Sequence, residues 1–160
     1  MKIGTLAIAL ACAIPMVGPA GREPTLRIYG ETGAPLATIV VKDGFTLSFI
    51  HSVNLSPVDE EFIVDGDGRL RLVRMSFDQM STGMPSGDED GFHIEDGRFV
   101  TVPDRTFSDL AVRVSPVPGH VLSANGWTRA LTDWAPVGGL LVFRAAPPFA
   151  SPVIALKQRK

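Results

Sequence analysis

Turn-forming dipeptides recur along this chain at short intervals, and they constrain its fold more than any other feature. Asp43-Gly44, Asp65-Gly66-Asp67-Gly68, Asp90-Gly91, Asp96-Gly97, Asn125-Gly126 and Gly138-Gly139 each signal a reversal. Strand-like runs lie between them at 26–29, 36–41, 45–51, 58–64, 70–77, 98–102, 111–115, 121–123, 140–144 and 153–156. The chain carries 13 prolines and 16 glycines, which oppose long helices, and no stretch sustains a helical apolar period over three turns. These features predict an all-β chain, an antiparallel β-sandwich or flattened barrel of about nine to eleven short strands. Ile94-Glu95-Asp96-Gly97-Arg98-Phe99 reads as a hairpin tip with Asp96-Gly97 as its two-residue turn. The segment 81–91 is polar and glycine-rich, which predicts an exposed loop.

A chain of 160 residues suits one domain. At this size roughly 70% of the unfolded surface can be buried, so a core forms without disulfides. Apolar residues make up 45%, which excludes a disordered chain, and a net charge of −2 offers no basic field for nucleic acid. The terminal Lys157-Gln158-Arg159-Lys160 reads as a solvated end, with a phosphate or membrane-surface contact as the alternative.

Residues 1–20 read as a targeting segment. Lys2 precedes a run, 3–17, that is almost wholly apolar, too short to span a bilayer but suited to a signal-peptide core. Gly18-Pro19-Ala20 supplies small residues for cleavage after Ala20, leaving a single β domain over 21–160. An uncleaved anchor is one alternative. A lipid-modified Cys12 after Ala9-Leu10-Ala11 is another. Cys12 is the sole cysteine, so a cleaved chain has neither disulfide nor thiolate metal site.

Within 51–62 a histidine and a carboxylate fall where the strand pattern predicts apolar side chains. Alternation puts Phe45, Leu47, Phe49 and His51 on one face of the first run and Ser52 on the other. In the next run Val58, Glu60, Phe62 and Val64 share the apolar face, while Asp59 and Glu61 point to water. Pairing across a loop at 52–59 would bring His51 opposite Glu60. Such a pair either locks the hairpin or forms the mouth of a pocket, because a buried polar group must be partnered.

Other chemistry is less well supported by spacing. Serine chemistry lacks a Gly-x-Ser-x-Gly elbow, and Ser52 faces away from His51. His51, His93 and His120 are too scattered for a metal motif. Asp65-Gly66-Asp67-Gly68 and Asp88-Glu89-Asp90-Gly91 lack the distal glutamate of a calcium loop and read as exposed turns. A glycosidase pair is no better placed, since most acids lie in turns. No motif calls for a cofactor. Trp127 and Trp134 read as packing at a sandwich edge, with a stacking surface as the alternative.

His51-Ser52-Val53, then Ser56-Pro57-Val58-x-Glu60-x-Phe62, then Thr82-Gly83-Met84-Pro85 resembles domain-of-unknown-function family 1850. The pattern departs at Ser81, where the family tends to carry a second glycine, and His120 aligns with a late family histidine. The resemblance implies no known activity. It implies small exported or membrane-anchored bacterial proteins, associated with TRAP transporters that use the TAXI type of solute-binding protein. The expectation that follows is a non-catalytic periplasmic accessory domain. Its partner would be the membrane subunit or the solute-binding protein, in uptake of a small organic acid. His51, Ser52, Glu60, Gly83, Met84 and Pro85 would form the recognition surface. A hydrolase using His51 and Glu60 as base and orienter, and a purely structural role for that pair, are the alternatives.

Overall fold

A computed structural model describes residues 23–85 and 91–146. The expected signal segment with Cys12, the acidic run 88–90, the strand expected at 153–156 and the basic tail all lie outside the described residues. The described chain forms strands β1 (Thr25–Gly30), β2 (Pro35–Val40), β3 (Phe45–Ile50), β4 (Pro57–Val64), β5 (Leu70–Phe77) and β6 (His93–Glu95). It continues through β7 (Arg98–Thr101), β8 (Arg105–Phe107), β9 (Leu110–Arg113), β10 (Val121–Ala124), β11 (Trp127–Ala130) and β12 (Leu140–Ala146). One short 3-10 turn, Leu131–Asp133, follows β11.

The strands make two antiparallel sheets. The smaller runs β2-β1-β12-β9, and the larger runs β11-β10-β3-β4-β5-β7-β6, with β8 also on β5. Neither closes, so the architecture is the expected sandwich rather than a barrel. β8 and β11 were not expected from the residue pattern. Arg105-Thr106-Phe107 and Trp127-Thr128-Arg129-Ala130 lack apolar alternation, and they extend because β5 and β10 offer them unpaired edges.

Alternation builds the core. Leu26 and Ile28 of β1 and Leu141 and Phe143 of β12 face Phe45, Leu47, Phe62, Leu70, Leu72 and Leu122 of the larger sheet, and all are buried. Phe45 and Phe62 are cross-strand partners whose rings stack at 5.1 Å, worth about 0.5–1.5 kcal/mol beyond area burial. A bulge at Glu61/Phe62 leaves Val73 as an extra residue in β5. It shifts the inward set from Leu70 and Leu72 to Met75 and Phe77, so both halves of that strand contribute to the interior.

The outer face of the larger sheet is polar and paired. Asp59 and Glu61 point outward as expected, but arginines hold them rather than water alone. Arg98 Nη1 lies 2.6 Å from Asp59, with its Nε 2.6 Å from Asp78, and Arg74 bridges Glu61 at 2.7 Å and Glu95 at 3.2 Å.

Candidate functional site at the loop end of the sandwich

The β3–β4 connection is tighter than expected. Ile50 pairs with Pro57, and the ladder closes with the His51 N–H donating to the Ser56 carbonyl at 2.9 Å. Only 52–55 remain as loop. Pro57 opens β4 without penalty, since the first position of a strand tolerates a missing N–H. The Ile50 N–H turns instead to the Pro118 carbonyl at 2.7 Å.

This register corrects the expected His51–Glu60 pair. Glu60 lies opposite Leu47, four residues down the strand from His51, about 13 Å by strand rise. The base-and-orienter arrangement that a hydrolase reading requires is not assembled. His51 instead serves its own turn. Its Nδ1 accepts from the Val53 N–H at 3.3 Å, and its carbonyl accepts from the Leu55 N–H at 3.0 Å. Ser52 is exposed in the turn. Leu55 takes a φ of +55°, a left-handed conformation that costs a non-glycine residue about 1 kcal/mol, and still points 67% exposed to solvent.

The second expected loop reaches the same end of the sheet because β5 exits beside the β3–β4 turn. Asn54 Nδ2 donates to the Gln79 carbonyl at 3.2 Å and ties the two segments. Ser81–Met84 is a β-turn closed by the Met84 N–H to Ser81 carbonyl bond of 3.0 Å, with Gly83 at φ +87° in the position that a type II turn reserves for glycine. Met84 and Pro85 are half-buried behind it. The loop between β9 and β10 joins through Pro118. Across these loops Val53, Leu55, Met80 and Val117 are exposed at 69%, 67%, 44% and 61%.

Glu60 is a separate feature. It lies on the inner face in a row that runs Arg129, Leu122, Leu47, Glu60, Met75, Thr101 across six strands. Burial alone pushes its carboxyl up to about 7, and no described residue bonds to it. Thr101 is fully buried, and its hydroxyl has no hydrogen-bond partner among the described residues. His120 packs its ring 5.4 Å from Phe49, its Nδ1 likewise lacks a described partner, and burial lowers its pKa.

Residue reasoning missed Thr101, Arg98 and Arg129. Arg98 was accessible from alternation after the Asp96-Gly97 turn. Arg129 was accessible from Asn125-Gly126, since the same counting sends Trp127 and Arg129 to one face. Thr101 carried no signal, because nothing in the residue order says that β7 is covered. Among the described residues, no three His, Cys, Asp or Glu side chains gather where a metal ion could sit. No helix among them is long and apolar enough to cross a membrane.

The model of the family described as Domain of unknown function (DUF1850) matches residues 45–131, from the start of β3 to the end of β11 and the residue after it. No curated protein and no solved structure matches the chain.

Proposed function

The chain belongs to the DUF1850 family, and from that premise we propose that it is an exported, non-catalytic accessory domain. It binds the membrane subunit or the solute-binding protein of a TAXI-type TRAP transporter through the loop end of its sandwich. One observation carries the reading. Loops from three places in the sequence are hydrogen-bonded together at one end of the larger sheet, and they turn Val53, Leu55, Met80 and Val117 outward. Single exposed apolar side chains are ordinary, whereas several on tied loops suit a protein contact. The left-handed Leu55 adds to this, because strain held at an exposed apolar residue has no packing return.

His51, Ser52 and the Gly83-Met84-Pro85 turn shape this surface. Glu60, opposite Leu47 on the inner face, stands apart from this surface. Export rests on the apolar run near the N-terminus, and the transporter on the family resemblance.

A structural role for His51 is the second reading, and its bond to the Val53 N–H favours it. Pull-down of the full chain with the two transporter components separates the two. The accessory role predicts association that His51→Ala weakens. The structural role predicts a lower melting temperature in His51→Ala, with binding intact in the folded fraction. No association with either component, for wild type and variant alike, contradicts the proposal.

A further inference from the structure

Among the described residues the sandwich is open along one side. β2 and β11 are the terminal strands of their sheets, and a cleft of about 330 Å³ runs between them. That volume lies in the range of small-ligand sites. The cleft is on the side of the sandwich rather than at its loop end, apart from the surface of the proposed transporter role.

Its walls follow from register. Trp127 pairs with Ala124 and Arg129 with Leu122, and both partners are buried on the inner face. Trp127 and Arg129 therefore leave β11 on the inner side, toward Ala37 and Ile39 of β2, and Trp134 closes the space from beyond the 3-10 turn. The Arg129 guanidinium sits over the Trp134 ring, 5.5 Å from its centroid. Its nearest acid among the described residues is Asp133, whose carboxylate is 3.7 Å away. That separation exceeds a hydrogen bond, and both groups are about half exposed, so the pair contributes little. No described residue accepts a hydrogen bond from this guanidinium. Among the described residues, a cation with unused donors thus faces a cleft that no acidic side chain lines.

We propose that this cleft binds a planar, apolar molecule bearing one carboxylate, an aromatic acid in chemical class. The indoles of Trp127 and Trp134 take its body, and Arg129 takes its acid group through paired N–H donors. An inward charge on an edge strand also discourages edge-to-edge association. That role accounts for Arg129 alone, but not for a cleft of ligand size walled by both tryptophans of the chain.

Because the chain has only these two tryptophans, its indole fluorescence reads this cleft. The test is a titration of the full chain with benzoate and with its neutral isostere benzamide, exciting at the red edge of the indole band. The expected result is a saturable change with benzoate and binding about tenfold or more weaker for benzamide, as loss of a charge-assisted bond implies. Arg129→Met should weaken benzoate by a similar factor at an unchanged melting temperature, and Arg129→Gln serves if the methionine variant does not fold. No saturable response to benzoate, or equal binding of benzamide, overturns the proposal. So does benzoate binding that survives both variants, or a variant that dimerises on sizing while the wild type shows no benzoate response.

Discussion

Single residues set both the rigidity and the pH response of this domain. Gly44 is the least replaceable. Its φ is +95°, and a Cβ there would lie 2.2 Å from the Phe62 carbonyl oxygen of the neighbouring strand. Backbone would have to move, so Gly44→Ala should cost about 3 kcal/mol or more and lower the urea midpoint accordingly. Gly83 has a φ of +87° but open space at its Cβ, so the same change there should cost only about 1 kcal/mol. Glu60 gives the second prediction. Its carboxyl is raised from 4.5 in the unfolded chain to about 7 in the fold, so between those values the folded state holds the extra proton. Stability from this group is therefore greatest at acid pH and falls as pH rises from about 4.5 through about 7. The span is at most roughly 3 kcal/mol, and less where water reaches the carboxyl. Glu60→Gln should flatten that slope in melting curves taken at pH 5 and pH 8. An unchanged slope would place the titration elsewhere.

The elements show how far residue order reaches. Alternation identified the inward set of β4 correctly, Val58, Glu60, Phe62 and Val64, because only a pleat of period two buries those residues together. The same rule could not supply the register of β3 on β4. Register depends on where the loop closes, and Pro57 read as a loop residue when it is the first residue of the strand. The offset of four positions separates Glu60 from His51. Disulfide trapping checks the correction directly. Ser48 and Asp59 are opposed on the outer face, so Ser48→Cys/Asp59→Cys should oxidise readily, while His51→Cys/Glu60→Cys should stay reduced. The converse outcome would restore the longer loop. β11 was missed although Asn125-Gly126 is a strong hairpin signal. Asn125 at φ +47° and Gly126 at φ +78° form that turn, and the strand after it carries an arginine on its inward side, which masks the apolar alternation.

For the whole molecule, the recurring turns translated well into architecture: many short antiparallel strands in two stacked sheets. The candidate site was legible as residues but not as an arrangement. His51 and Ser52 lie in the turn after β3, the Gly83-Met84-Pro85 turn follows β5, and β3 and β5 exit the same side of the sheet. What ties the loops is a main-chain bond from Ile50 to Pro118 and a bond from the Asn54 side-chain amide to the Gln79 carbonyl, neither of which strand alternation encodes. The apolar character of that end lies in Val53, Leu55, Met80 and Val117, which are exposed on its loops. Under the proposed function, this loop end is where the domain would meet its partner. Leu55→Asn isolates it, since asparagine keeps the left-handed backbone and removes the exposed apolar side chain. The deciding measurement is the affinity of the wild type and of Val53→Ser/Leu55→Asn for the immobilised transporter components. Wild-type binding is expected, falling about tenfold or more in the variant at a matching melting temperature. Equal affinity in the two proteins would contradict it.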